Sequence, residues 1–131
     1  FRDAYIEELG GRLPAAAGGV EVMPGIRDLL AMLRARAARG EVTLGLLTGN
    51  YRASAHLKLR AAGLDPDWFT LGAFADDGDT RPGLVEVALR RHREATGDDA
   101  EPGRVIVIGD TPHDVACAKA HGCVAFATAT G

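Results

Sequence analysis

Two carboxylates follow an apolar run near the end of the chain, at a distance from each other that could hold a metal ion. Val105–Ile108 is mostly β-branched and contains no polar residue, which is typical of a strand buried on both faces of a parallel sheet. Gly109 ends the run, Asp110 follows, and Asp114 lies one helical turn later. Ligands bind outside the carboxyl ends of such strands, and carboxylates suit Mg²⁺. The alternative is a loop acid at Asp110 and a helix-start acid at Asp114.

Thr48-Gly49-Asn50 forms a second polar turn, directly after the apolar run Val42–Leu47. A hydroxyl, a flexible glycine and an amide at a strand-to-helix turn can cradle an anion, together with the free N–H groups of the next helix. The alternative is that Thr48 or Asn50 only caps that helix.

Arg81 stands with Pro82 at the start of another predicted helix, where the helix dipole favours an anion over a cation. The arginine is either needed there for another purpose or is an ordinary solvated side chain. Because Thr48, Arg81 and Asp110 each follow the carboxyl end of a predicted strand, one crevice could gather all three. A hydroxyl donor, a fixed cation and a metal-binding acid are the groups that phosphoryl transfer requires.

Helices and strands alternate along the chain and would carry these residues. This order, with apolar strands, predicts an α/β fold built on a doubly wound parallel sheet with right-handed crossovers. Helices are expected over 1–13, 24–39, 51–62, from 81 onward and over 112–121, strands over 42–47, 68–71, 105–108 and 124–128, and a linker over 14–19.

Composition limits the classes of function. A chain of 131 residues is expected to form one domain, and a net charge of −3 argues against a nucleic-acid partner. No apolar run reaches membrane-spanning length, so no membrane partner is expected. Cys117 and Cys123 fit neither a CxxC motif nor a disulfide framework, which favours buried thiols in a reducing cytoplasm. His121 is expected on a helix surface, and Trp68 in the core.

Four segments, in this order, resemble parts of the haloacid dehalogenase-like hydrolase superfamily, in its Mg²⁺-dependent phosphatase branch. The resemblance covers Val22–Gly131, and its segments are Val22–Ile26, Leu46–Asn50, Arg81-Pro82 and Gly109–Asp114. The first is similar to the stretch that leads from a helical cap into the core, and the others to the family's second, third and fourth motifs. The fourth is the most specific.

The resemblance implies a Rossmann-like core over residues 21–131, preceded by the end of a helical cap and a linker over residues 1–20. The implied reaction is hydrolysis of the phosphate monoester of a small metabolite through an aspartyl-phosphate, similar to that of phosphoglycolate phosphatase. Asp110 would bind Mg²⁺, and Asp114 would support the ion directly or through water. Arg81 would stabilise both the phosphate and the nucleophile. The implied phosphate-binding residues are Thr48, Gly49, Asn50 and Arg81.

The family's first motif, an apolar strand that ends in Asp-x-Asp, has no counterpart in this sequence. Its first Asp is the nucleophile, and covalent catalysis needs that carboxylate within reach of phosphorus. Asp3 lies in a helical segment without a preceding strand, and Asp28 lies in mid-helix. In the family the missing strand is central, between the strands that end here at Leu47 and Ile108. We therefore expect these residues to be a segment of a longer protein, cut before Phe1, and inactive alone.

Two alternatives stay open. A metal-independent haloacid dehalogenase would carry other residues in place of Asp110 and Asp114, which speaks against that activity. A non-catalytic α/β module that binds phosphate or Mg²⁺ is compatible with the missing nucleophile. The sequence indicates neither the substrate nor the oligomeric state, because the cap that selects the substrate in this family is almost absent here.

Overall fold

The computed structural model describes residues 2–15, 20–78 and 80–129. Helices and strands alternate through these ranges, and the predicted α/β class is confirmed. The helices are α1 (Arg2–Ala15), α2 (Ile26–Ala38), α3 (Arg52–Ala61), α4 (Arg81–Thr96) and α5 (Pro112–Ala120), and the strands are β1 (Gly45–Leu47), β2 (Leu71–Ala73), β3 (Ile106–Gly109) and β4 (Val124–Ala127).

The chain divides into two compact units. Unit 1 comprises Phe1–Leu46 and Asn50–Thr70, and unit 2 comprises Leu47–Gly49 and Leu71–Gly131. Unit 2 therefore contains β2, β3, β4, α4 and α5, together with the turn that carries Asp110.

β3 and β4 form a parallel pair in unit 2. Ile106 pairs with Val124, and Gly109 pairs with Ala127. The N–H of Thr128 extends the pairing and donates to the Gly109 carbonyl at 2.9 Å. Parallel neighbours need a crossover, and α5 provides it and packs on both strands.

The expectation that the strand ending before Gly109 is buried on both faces is wrong. Successive side chains point to opposite faces of a strand, and α4 and α5 cover one face of the β3–β4 pair within unit 2. On the other face Ile106 is 60% exposed and Phe126 is 59% exposed. The side chains of the covered face and of the two helices form one core, which consists of Val85, Leu89, Val105, Val107, Cys117, Ala118, Cys123 and Ala125.

A second cluster joins β2 to α4. It contains Ala73, Leu84 and Val87, and Leu84 and Val85 are each only 2% exposed. This packing holds the first turns of α4 against the end of β2.

The strand predicted over 68–71 begins later than expected. Pro66–Trp68 forms a 3-10 turn whose N-cap, Asp65, accepts the N–H of Asp67 at 2.9 Å. This local hydrogen bond competes with extended backbone, so β2 starts only at Leu71. Trp68 is half-buried, and the guanidinium of Arg34 lies 4.0 Å from the centre of its ring.

The helices of unit 1 begin and end close to the predicted residues. α2 starts after Gly25, whose φ of +81° breaks the helical path, and not at Pro24. α1 continues to Ala15, so the predicted linker is helical over its first two residues, and 16–19 lies outside the described residues. Gly63, at φ +69°, follows the C-cap of α3, where a left-handed residue commonly ends a helix. The apolar stripe of α2 is half-buried and consists of Ile26, Leu29, Leu30, Leu33 and Ala37.

The two cysteines are free and buried, as predicted. Burial raises the pKa of the Cys123 thiol. In the part of the chain that the structure describes, no helix combines the length and the apolar character that crossing a bilayer would require.

Candidate functional site

The turn between β3 and α5 is held by a reciprocal pair of hydrogen bonds around Asp110. Thr111 is the N-cap of α5, and its hydroxyl accepts the N–H of Asp114 at 3.2 Å. In return, Oδ2 of Asp114 accepts the Thr111 N–H at 3.1 Å and the Thr111 hydroxyl at 2.7 Å. This arrangement is a capping box. It fixes the backbone on the C-terminal side of Asp110, whose own side chain is exposed.

Gly109 is required at this turn for a steric reason. A Cβ at residue 109 would lie 2.5 Å from three side-chain atoms of Asp114. Asp114 is only 8% exposed, so its carboxylate is packed against the strand end and cannot easily retreat. The glycine therefore makes room for the acid that holds the turn.

The residues at this turn fit part of a Mg²⁺ site. Mg²⁺ is usually held by one or two carboxylates, with water and substrate phosphate completing its shell. Asp110 offers an exposed carboxylate at the carboxyl end of β3, whereas Asp114 uses Oδ2 to hold the turn. Over residues 2–15, 20–78 and 80–129, no group of three or more His, Cys, Asp or Glu side chains is placed to hold a metal. Metal ligation by Asp110 and Asp114 stays a prediction.

A Thr111→Ala variant is expected to unfold more easily by about 1 kcal/mol, because it loses the N-cap hydroxyl of α5. Urea unfolding followed by circular dichroism measures the change. Thr43→Ala, at an exposed position outside the helices and strands, is the matched control and should shift the midpoint very little. Equal midpoints for the two variants would contradict a capping role for Thr111.

The Thr48-Gly49-Asn50 turn does not cap the following helix. The N-cap of α3 is Tyr51, so the alternative proposed for Thr48 and Asn50 is wrong. In unit 2, the N–H of Thr48 donates to the carbonyl of Ala73, the last residue of β2, at 3.0 Å. The backbone of Thr48 is thereby placed at a strand end, as expected.

Lys58 is a cation that the sequence analysis missed. In unit 1 its ammonium donates to Oδ1 of Asn50 at 2.8 Å. The sequence does show a lysine two turns into α3, and such a side chain can reach back towards the start of the helix. Eight residues separate it from Asn50, however, so the sequence analysis did not connect the two. The contact places positive charge beside an amide predicted to bind phosphate and orients that amide through its oxygen.

Arg81 is the first residue of α4, as predicted. Thr80 caps the helix and accepts the N–H of Gly83 at 3.4 Å. The side chain of Arg81 lies outside the described part of the structure, so its predicted contact with phosphate stays a prediction.

The start of α4 lies beside the C-terminal end of α5. Nε2 of His121, the residue that follows α5, donates to the carbonyl of Pro82 at 2.7 Å. His121 is half-buried at the C-cap of α5, so it lies at the helix surface as predicted and also bonds to the first turn of α4. Asp110 precedes the N-terminal end of α5, whose nine residues span about 13 Å. Asp110 and His121 therefore stand at opposite ends of this helix. The predicted convergence of Thr48, Arg81 and Asp110 in one crevice stays a prediction.

Asp77-Gly78-Asp79 has the Asp-x-Asp spacing of the missing motif, and it follows β2. The carboxylate of Asp77, however, is engaged by the guanidinium of Arg91 and by the N–H of Phe74. Asp79 lies outside the described residues. The engaged carboxylate makes Asp77 a poor nucleophile, so this spacing does not supply the first motif.

Comparisons with known proteins agree with the motifs. The family model described as haloacid dehalogenase-like hydrolase matches residues 1–122. Phosphoglycolate phosphatase from Synechococcus elongatus is 30% identical over 124 residues, which are 95% of this chain and 51% of that protein. The chain thus spans about half the length of the curated relative it matches.

The fold is also similar to a solved structure. The crystal structure of CbbY from Rhodobacter sphaeroides in complex with phosphate matches 80% of this chain and 44% of that chain, with a TM-score of 0.64 and 24% sequence identity. At this identity the likeness concerns the fold. Because the family model matches nearly all of the sequence, the chain belongs to the haloacid dehalogenase-like hydrolase family.

Proposed function

We propose that the protein is a Mg²⁺-dependent phosphatase that hydrolyses phosphate monoesters of small metabolites. The observation that carries the proposal is the family match over residues 1–122, together with the Gly109–Asp114 turn that presents Asp110. The phosphoglycolate phosphatase among its relatives supports a small phosphorylated acid as the class of substrate. The active protein is proposed to pass through an aspartyl-phosphate.

Each site residue has a role in this proposal. Asp110 ligates Mg²⁺, and Asp114 holds the turn that carries Asp110 and supports the ion directly or through water. The ion, when bound, offsets negative charge on the phosphoryl group. Arg81 adds a fixed positive charge for the phosphate and the nucleophile. The phosphate itself is bound by Thr48, Gly49, Asn50 and Arg81.

Lys58 adds to this set through Asn50. The Lys58 ammonium binds the Asn50 amide through Oδ1, so in this proposal the NH₂ group is the end that donates to the phosphate. A phosphate oxygen is an acceptor only, so this orientation is the one that phosphate binding needs.

The proposal is tested with the protein expressed from its complete gene. Phosphate release from p-nitrophenyl phosphate is expected with millimolar Mg²⁺, to be lost in EDTA, and to return when Mg²⁺ is restored. The 131 residues alone are expected to release none, because no sequence motif among them supplies the nucleophile.

Two results would overturn the proposal. Halide release from a 2-haloacid without metal would make the protein a dehalogenase. Saturable binding of inorganic phosphate or Mg²⁺, without turnover of p-nitrophenyl phosphate or phosphoglycolate, would make it a non-catalytic module.

A further inference from the structure

One ion pair in unit 2 joins a strand, a loop and a helix. Arg91, in the third turn of α4, donates through Nη1 and Nη2 to the two carboxylate oxygens of Asp77, at 2.7 Å each. Its Nη1 also donates to the carbonyl of Gly72 in β2. On the other side, Oδ2 of Asp77 accepts the N–H of Phe74 at 2.9 Å. The pair thus connects the end of β2 and the loop after it to α4.

The Asp77–Arg91 pair is less exposed than the Arg93–Asp99 pair, which also involves an arginine of α4. The side chains of Arg91 and Asp77 are 30% and 15% exposed, whereas those of Arg93 and Asp99 are 59% and 81% exposed. Exposed pairs contribute little because water screens them, and a forked, partly buried arginine–carboxylate contact also specifies geometry. The contact with Asp77 raises the pKa of Arg91, so the charge is held at any pH of interest.

Arg81, the first residue of α4, follows Asp77 by four positions. Gly78 and Thr80 both have extended backbone, with φ and ψ of 172° and 159° and of −127° and 141°. Arg91 lies about 15 Å along the helix from Arg81, and both belong to the one continuous helix α4. The contacts of Arg91 with Asp77 and Gly72 therefore link this helix, including its first turn, to the end of β2.

We propose that the Asp77–Arg91 pair is a positioning device, which sets where α4 begins relative to the end of β2 and so places Arg81 for the phosphate. The proposal rests on the phosphatase function proposed above. Arg91 and Asp77 are positioning residues here, since they act through the backbone of Arg81. The expected signature is a loss of turnover in a protein that remains folded.

The test uses Arg91→Lys in the protein expressed from its complete gene, because lysine keeps the charge but not the fork. We expect kcat for p-nitrophenyl phosphate to fall at least tenfold, since misplacement by about 1 Å can cost that much or more, with a smaller change in KM. Circular dichroism at the assay temperature should show the parent fold. Arg93→Lys, on the same helix, is the matched control and should stay within twofold.

A double-mutant cycle shows whether the effect passes through Arg81. Residues that act as one unit are non-additive, so Arg91→Lys should cost less than twofold in an Arg81→Ala background. Equal losses in both backgrounds, or unchanged kcat in the folded Arg91→Lys protein, would overturn the positioning role. Full activity of Arg81→Ala alone would instead refute the function proposed for Arg81.

Amide hydrogen exchange adds a readout that does not depend on turnover. Arg91→Lys is expected to raise exchange in peptides covering 74–84, while the β3–β4 region stays protected as in the parent. Unchanged exchange over 74–84 would overturn the positioning role of the Asp77–Arg91 pair, whether or not the protein proved to be a phosphatase.

Discussion

In the protein expressed from its complete gene, an Asp110→Asn variant is expected to lose Mg²⁺-dependent phosphate release by about a thousandfold, while it folds as stably as the parent. Asparagine keeps the shape but removes the charge that draws a hard cation. Charge stabilisation by a bound metal contributes several kcal/mol to phosphoryl transfer, and about 4 kcal/mol corresponds to a factor of a thousand in rate. Initial rates with p-nitrophenyl phosphate across a Mg²⁺ titration measure the loss.

The folded state should not suffer, because Asp110 is exposed and the capping box behind it uses Thr111 and Asp114. Glu86→Gln, at an exposed position of α4, removes an equal charge away from the turn and is the control for a general electrostatic effect. Activity of Asp110→Asn within a factor of three of the parent would remove the metal assignment from this residue.

A Gly109→Ala variant is expected to be destabilised by about 3 kcal/mol and to lose activity at temperatures where it still folds. The new Cβ would stand 2.5 Å from Cβ, Cγ and Oδ2 of Asp114, and forcing extra atoms into a packed site typically costs 1–3 kcal/mol or more. Relief would require the acid to move, which breaks its bonds to Thr111 and shifts Asp110. Urea unfolding gives the stability change.

Gly103→Ala is the control, because nothing lies within 4 Å of a Cβ at that position and its φ is not positive. Its unfolding midpoint should match the parent or rise slightly, since alanine reduces the entropy of the unfolded chain. If Gly109→Ala were as stable as Gly103→Ala, the close packing of Asp114 against the strand end would be wrong.

The position of Asp114, at the start of α5, is compatible with two roles, metal binding and helix capping. In the sequence it is either the second acid of a metal site or a helix-start acid. The structure supports the local explanation, since Oδ2 is bonded to Thr111. The capping box was readable from Thr111 and Asp114, because Thr-x-x-Asp before an apolar run has the pattern of a box. Metal support by Asp114 stays a prediction.

The sequence alone was sufficient for the class of fold, the order of its elements, the start of α4 at Arg81 and the turn that presents Asp110. These features depend on signals carried by residues close together in the chain, such as apolar runs, N-caps and glycines. The burial of the two cysteines was predictable too.

Only the tertiary structure decided which residues meet across the chain. The one-sided burial of β3, the contact of His121 with Pro82 across 39 positions and the Asp77–Arg91 pair all depend on how helices pack on strands. No local pattern encodes them, because a side chain's partner is chosen by long-range packing and by the few arrangements that satisfy every buried polar group. The sequence therefore identified the residues that could act on a phosphate, and packing decided which of their neighbours position them.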